Sequence, residues 1–252
     1  MDVRCLTLAV VLSLAPVATP SADDPSLIPS LSPSLVRHTS GPFGSEDCGP
    51  AGDATKKSEA DPYLNALKNR DEAPDSYVHM TVAAIVADKP DALKKEKAIR
   101  RDKWEDLGHA KALVPKESKG IEVIGYFAGA PYHEKKESCN CSDPIHRDYH
   151  LWLVANPKEK QAKSMVVEIS PRVLKHHPDW PKLASKAHTD GTQVRVRGWR
   201  TFDEEHPEQL RNRKSHAGKI LHATRATLWE IHPVIEIDVK QGGKWVPIDG
   251  EE

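Results

Sequence analysis

The chain has 252 residues, enough for one large domain or two small ones. Its 36 basic and 37 acidic residues leave a formal charge of −1, which excludes a generally basic nucleic-acid coat protein and a strongly acidic chaperone tail. No internal apolar run reaches the ~18 residues that a membrane-spanning helix needs.

Residues 1–22 have the pattern of an export signal. An apolar stretch from Cys5 to Val17 follows Arg4, and the segment ends in small and polar residues. We therefore expect cleavage at about residues 19–23 and a secreted or periplasmic protein. A buried N-terminal strand or helix is the alternative interpretation of the same stretch.

Residues 23–57 are predicted to form a disordered tether. The segment is rich in serine, glycine and aspartate, and it buries too little apolar area to offset the entropy lost on ordering. It also contains Cys48 and several prolines, which are Pro25, Pro29, Pro33, Pro42 and Pro50.

Residues 58–118 are predicted to form a helical extension. Asp61 followed by proline is a signal for a helix start, while residues 78–86 fit either a strand or a short buried helix. Over residues 91–112 charged positions surround an apolar stripe that includes Trp104, which predicts an amphipathic helix. Its basic run is interpreted as a solvated face, with phosphate binding as the alternative.

Residues 119–240 are predicted to be mainly β. One helix, over residues 179–187, falls between the third and the fourth strand, and Gly125 and Gly198 lie mid-strand, as in tightly coiled barrel strands. This order predicts an OB-fold-like five-stranded barrel, followed by a tail over residues 241–252. A generic α+β sheet is the alternative. The predicted strands span 120–127, 148–154, 164–169, 192–199 and 226–234, with 235–239 as a candidate extension of the last.

Several segments resemble a group of uncharacterised exported bacterial proteins with an OB-fold-like C-terminal domain. They are Leu-Lys-Asn-Arg at 67–70, the second strand at 148–153, Val-Arg-Val-Arg-Gly-Trp at 194–199, and residues 225–233 with their Trp-Glu-Ile-His-Pro ending. The resemblance implies the fold and the exported location, and it implies no activity.

Alternation of side chains along the strands places a polar cluster on the outer face of the barrel. His150 and Glu168 fall on the face where such barrels bind ligands, and Glu230 and His232 join them if the third and fifth strands pair. Asp148 opens the second strand on the same side. The two histidines, with Asp148 and Glu230, are the predicted ligands of a zinc-like divalent ion. Glu168, which would activate water, and Asp148 are the catalytic candidates.

A groove for an anionic or oligomeric ligand is predicted between two long loops, over about residues 128–147 and 203–224. The loop over about residues 203–224 is long for a hairpin connection, is rich in basic residues and faces the outward side of the fourth strand. Such a groove suits a phosphate backbone with stacked bases, although the charge of −1 disfavours tight nonspecific nucleic-acid binding. The alternative to a ligand-binding groove is that residues 203–224 form a flexible polar loop. The predicted ligand-binding residues are His150, Trp152, Arg195, Arg197, Trp199 and Arg225.

The cysteines permit two kinds of chemistry. Cys139 and Cys141, followed by His146 and His150, offer four zinc ligands, but the single residue between the cysteines departs from the usual structural spacing. In an exported protein a disulfide from Cys48 to either Cys139 or Cys141 is favoured over three free thiols.

Two functions from different classes follow from these patterns. The first is an exported binding module for an anionic or oligomeric ligand, and the second is a metal-dependent, phosphodiesterase-like hydrolase. Sequence motifs for a nucleophile elbow, a phosphate loop, a dinucleotide site or a zinc-protease helix are absent. In a purely structural alternative, Arg225 pairs with Glu230 or Glu168 and ties strands together.

Overall fold

The computed structural model of the protein describes residues 48–53, 61–89, 109–215 and 217–250. The predicted export signal, most of the predicted tether and Trp104 lie outside these residues. The helices are α1 Pro62–Lys68, α2 Val82–Ala87, α3 His109–Glu117, α4 Pro171–Leu174 and α5 Trp180–Thr189. The strands are β1 Tyr77–Met80, β2 Gly120–Phe127, β3 Tyr132–His133, β4 Tyr149–Val154, β5 Met165–Ile169, β6 Val194–Phe202, β7 Arg213–Lys214, β8 Ile220–Leu221, β9 Trp229–Gln241 and β10 Lys244–Pro247.

Five of the strands close into a barrel, which confirms the predicted mainly β, OB-fold-like architecture. Strand β2 pairs with β4, β4 with β5, β9 with β6 and β6 with β2, all antiparallel, while β5 and β9 pair in parallel. Helices α4 and α5 lie between β5 and β6 in the chain. The ring of pairings leaves no unpaired edge among these five strands, as in a closed barrel.

The interior of the barrel is apolar, because alternate residues of each strand point inward. Leu151, Leu153, Val167, Ile169, Trp229 and Ile231, all of which the alternation predicts to face inward, belong to one buried core. Helix α5 adds Trp180, Ala184 and Ala187 to the same core. The core therefore spans the barrel and the helix that covers it.

The two mid-strand glycines lie in neighbouring strands, as predicted. In the β2–β6 pair Val123 stands opposite Val196, and both side chains are fully buried. Gly198 lies where the β6–β9 register shifts, and a Cβ atom there would approach the Pro233 carbonyl oxygen to 2.2 Å. Only glycine allows this close approach of the two backbones.

The segment before the barrel packs against it. Asp61 caps α1 by accepting hydrogen bonds from the backbone of Tyr63 at 2.8 Å and of Leu64 at 3.3 Å. Residues 78–86, predicted as either a strand or a helix, contain both, because β1 pairs in parallel with β2 and is followed at once by α2.

The predicted tail carries β10, which pairs with β9. Among the described helices, none has the length and apolarity required to cross a bilayer.

Candidate metal centre and its cavity

Asp148, Glu168 and His232 form a compact group of metal-ligating side chains. One ligand atom from each lies within 4.8 Å of the other two, and all three residues are buried. Asp148 directly precedes β4, Glu168 lies in β5 and His232 lies in β9. The parallel pairing of β5 with β9 aligns Val167 with Ile231, so the next residues along both strands bring Glu168 beside His232.

The imidazole of His232 lies among carboxylates. Its Nδ1 atom is 3.0 Å from Glu168 Oε2 and 3.6 Å from Glu230 Oε2, and its Nε2 atom is 3.2 Å from Asp148 Oδ2. Neither ring nitrogen has hydrogen-bond geometry toward these oxygens. Burial lowers the pKa of His232, but the three carboxylates outweigh it and raise that pKa well above its ordinary value. Among these carboxylates the ring can hold a proton or, once deprotonated, share a divalent cation with Asp148 and Glu168.

Glu168 connects the two histidines. Its Oε1 atom lies 3.3 Å from His150 Nδ1, while its Oε2 atom faces His232. Burial alone would raise the pKa of Glu168, yet the neighbouring histidines hold it well below its ordinary value. Glu168 is therefore ionised, with one carboxylate oxygen facing each histidine.

His150 has one ring nitrogen in contact with carboxylates and one without a partner. Its Nδ1 atom lies 2.9 Å from Glu134 Oε1, and its buried Nε2 atom has no hydrogen-bond partner among the described residues. Burial lowers the pKa of His150, but Glu134 and Glu168 outweigh it and raise that pKa to about 9. The ring tilts against Trp152, with 4.8 Å between the ring centroids.

Glu230 is neutralised by arginine. Arg225 lies 2.7 Å from Glu230 Oε1 and 2.9 Å from Asp203 Oδ2, and all three side chains are almost completely buried. This is the structural ion pair that the sequence offered as an alternative role for Arg225. Of the four predicted ligands, Asp148 and His232 belong to the compact group with Glu168, whereas His150 contacts Glu168 from its other side and Glu230 pairs with Arg225.

A turn from the loop before β4 closes over Asp148. Asn140 donates a hydrogen bond of 3.0 Å to Asp148 Oδ1, and the Asp148 backbone N–H donates one of 3.3 Å to Glu137 Oε2. The Cys139 thiol lies 3.9 Å from Asp148 Oδ2. Burial, aided by neighbouring carboxylates, raises the pKa of both Cys139 and Glu137 well above ordinary values, so the Cys139 thiol is protonated at neutral pH.

The cysteines do not form the spacing-based zinc set. Cys141 forms a disulfide with Cys48, 93 residues earlier in the chain, and Cys139 remains a free, buried thiol. His146 lies 3.1 Å from Asp143 in a partly exposed ion pair. The disulfide decides between the two partners that the sequence left open for Cys48.

The cluster is covered, whereas the sequence indicated a solvent-facing surface. The side chains do lie on the outer side of the barrel, but His150 is only 4% exposed and His232 is 0% exposed. Helix α1 and the turn at Ser138–Asn140 lie above them, joined where Asn69 donates 2.7 Å to the Cys139 carbonyl oxygen. Alternation along a strand gives the direction of a side chain but not what packs over it.

A cavity of about 320 Å³ lies between the cluster and this cover. The barrel contributes His150 and Glu168 to its wall, and the surrounding segments contribute other polar side chains. They include Lys68, Cys139, His206 and Arg225.

No protein-family model matches the chain, and no curated protein matches it either. The function is therefore inferred from the chemistry of this buried site.

The predicted groove on the fourth strand is not continuous with the cluster. Arg195 lies 2.7 Å from Asp238 Oδ2, and Arg197 lies 2.6 Å from Glu236 Oε2, so both face the far half of β9. Trp199 donates a 2.8 Å hydrogen bond to the Glu72 carbonyl oxygen. The long basic loop contains the small β7–β8 hairpin. Arg195, Arg197 and Trp199 are therefore engaged with the protein's own polar groups.

Sequence reasoning missed Lys68, Glu134 and Asn140. None of them lies on a barrel strand: Lys68 ends α1, while the other two lie in the long loop between β2 and β4. For Lys68, a signal in the sequence was the run of polar residues Lys-Asn-Arg at 68–70 beside a predicted helix. The structure buries all three residues of that run.

Proposed function

We propose that this protein is an exported binding protein that holds a divalent metal ion with Asp148, Glu168 and His232 and takes a small anionic ligand beside it. One observation carries the proposal: these three ligand atoms converge within 4.8 Å in a buried site. Glu168 also lines the cavity of about 320 Å³, so a ligand there would lie next to the ion.

The donor set indicates the class of metal. One imidazole with two carboxylates suits zinc and similar first-row divalent ions. Three protein ligands leave a position open for a ligand, as zinc sites that act on bound molecules do. The positive ion would also offset the buried negative charge of Asp148 and Glu168.

The size of the cavity favours a small ligand over an oligomer. Its volume of about 320 Å³ is near the lower end of the range for small-molecule sites. A polymer would need an open groove, and the arginines and tryptophan expected to line one are engaged elsewhere.

A metal-dependent hydrolase is the second candidate function, and His150 favours it. Glu134 contacts one nitrogen of this buried ring, and the other nitrogen has no partner in the part of the chain that the structure describes. A carboxylate-oriented imidazole that lines a cavity is the usual arrangement of a general acid or base. Such a His150 would move a proton at Nε2, while Glu168 would hold the metal.

The exported location rests on the N-terminal apolar stretch and is supported by the disulfide between Cys48 and Cys141. We also propose kinship with the exported bacterial proteins that the quoted segments resemble. N-terminal sequencing of natively produced protein tests the location, and a chain that retains Met1 would overturn it.

Metal analysis of the purified protein tests the central proposal. After equilibration with zinc and gel filtration, we expect about one ion per chain in the wild type. His232→Gln and Glu168→Gln should lose it, whereas His146→Gln, which changes a partly exposed histidine, should keep it. Thermal melting verifies that each variant is folded. A wild-type protein that retains no zinc, or a folded His232→Gln that keeps zinc, would show that the proposal is wrong.

Activity on a generic phosphodiester separates the two candidate functions. A hydrolase predicts turnover by the zinc-loaded protein that is lost in His150→Gln while the zinc content is kept. Zinc binding without turnover favours the binding protein.

A further inference from the structure

Lys68 is a buried ammonium group that lines the cavity. It is the last residue of α1, and only 4% of its surface is exposed. Among the residues that the structure describes, no carboxylate lies within ion-pair distance of its amine, and no acceptor forms a hydrogen bond with it. An unpaired buried cation is costly unless an anion compensates it.

The surroundings keep Lys68 charged without binding it. Burial lowers its pKa, but Asp203, Glu168, Glu205 and Glu230 outweigh burial and raise the pKa well above its ordinary value. Arg225 lies within ion-pair distance of Glu230 and Asp203, and His150 and His232 lie within that distance of Glu168. These carboxylates favour a cation at this position, and one of them, Glu205, lines the cavity together with Lys68.

We propose that Lys68 binds the oxyanion of a small phosphate- or carboxylate-bearing ligand in this cavity. This inference deepens the proposed function and rests on its cavity, but it does not require the metal ion. An ammonium group at the cavity wall offers three hydrogen-bond donors and a compact positive charge, which suit a phosphate or carboxylate oxygen.

The basic side chains of the cavity support an anion. Lys135 and Lys136 also line it and are exposed, so they lie where it meets solvent and would attract an anion toward Lys68. Four glutamates line the cavity too, namely Glu134, Glu137, Glu168 and Glu205. Of these, Glu134 contacts His150, Glu137 accepts from the Asp148 backbone and Glu168 faces both histidines.

The position of Lys68 depends on the segment before the barrel. Asn65, one turn earlier in α1, donates a 2.9 Å hydrogen bond to the Ala51 carbonyl oxygen and accepts one of 3.1 Å from Ser138. Ala51 lies three residues after the disulfide-bonded Cys48. The barrel thus supplies the metal ligands, and the extension, tied down by the disulfide, supplies the anion-binding side chain.

Isothermal titration with inorganic phosphate, and separately with citrate, tests the inference. Wild type, Lys68→Met, Lys68→Arg and Lys158→Met are each titrated in metal-free and in zinc-loaded form. Lys158 is an exposed lysine in the β4–β5 connection and serves as the control. We expect Lys68→Met to weaken binding of at least one of the two anions about tenfold or more in both forms, Lys68→Arg to retain part of it and Lys158→Met to bind as wild type does.

The outcomes separate this inference from the metal proposal. If the wild type binds neither anion, or if a folded Lys68→Met binds them as tightly as the wild type, the inference is wrong whatever the zinc content. If zinc binding fails but metal-free protein binds an anion through Lys68, the inference stands and the metal proposal falls. Thermal melting shows that Lys68→Met is folded, which is expected because methionine fills the same space without a buried charge.

Discussion

His232 Nδ1 lies 3.0 Å from Glu168 Oε2, across the one parallel pairing in the barrel ring. The two residues are far apart in the chain, and only closure of β5 against β9 brings them together. Closure of the barrel and assembly of the candidate metal centre are therefore the same structural event.

His206 should titrate well above neutrality. Its Nδ1 atom lies 2.6 Å from Asp203 Oδ2, and mainly the charge of Asp203 raises the pKa of His206 to about 9. Because the folded pKa exceeds the ordinary value of ~6.5, the contribution to stability is complete below pH ~6.5 and disappears as the pH rises through about 9.

An NMR titration, with His206→Gln used to assign the signal, measures this pKa directly. The difference in unfolding free energy between wild type and His206→Gln should shrink from pH 6 to pH 10. It should be small throughout, because 41% of the side chain is exposed. A midpoint near 6.5 would contradict the contact with Asp203.

Replacing Gly198 with alanine should destabilise the barrel by about 2 kcal/mol or more, because the new Cβ atom would meet the Pro233 backbone. Gly49→Ala is the matched control, since nothing lies within 4 Å of a Cβ atom there. Urea denaturation compares the two. Equal losses in both variants would mean that β6 and β9 do not approach as described.

Arg225→Ala should cost about 3–5 kcal/mol, because it leaves Glu230 and Asp203 buried without their cation. Arg213 lies 3.6 Å from Glu208 at the surface, so Arg213→Ala should cost about 0–1 kcal/mol. Chemical denaturation at neutral pH measures both. A cost for Arg225→Ala no larger than that of the surface variant would rule out the buried ion pair.

Peptide mapping without reduction should recover Cys48 linked to Cys141, and Cys139 as a thiol that reacts only after denaturation because it is buried. Removing the bond with Cys48→Ser and Cys141→Ser should lower stability by about 2–5 kcal/mol. A peptide that links Cys48 to Cys139 would contradict the structure.

The sequence by itself determined the barrel and which strand residues lie on its polar outer side. Strand order, the inward-facing Leu151 and Trp229, and the bend at Gly198 all follow from local patterns, because a strand repeats every two residues and glycine alone permits the close approach. The same alternation placed His150, Glu168, Glu230 and His232 on one side of the barrel.

Only the tertiary structure decided how that cluster is used. Whether it faces solvent depends on α1 and the turn at Ser138–Asn140, which reach it through contacts between distant parts of the chain. The same long-range packing selected Cys141 as the partner of Cys48, gave Glu230 to Arg225 and placed Lys68 in the cavity. Periodicity reports the direction of each side chain within its own strand, whereas burial and pairing depend on which remote segment packs against it.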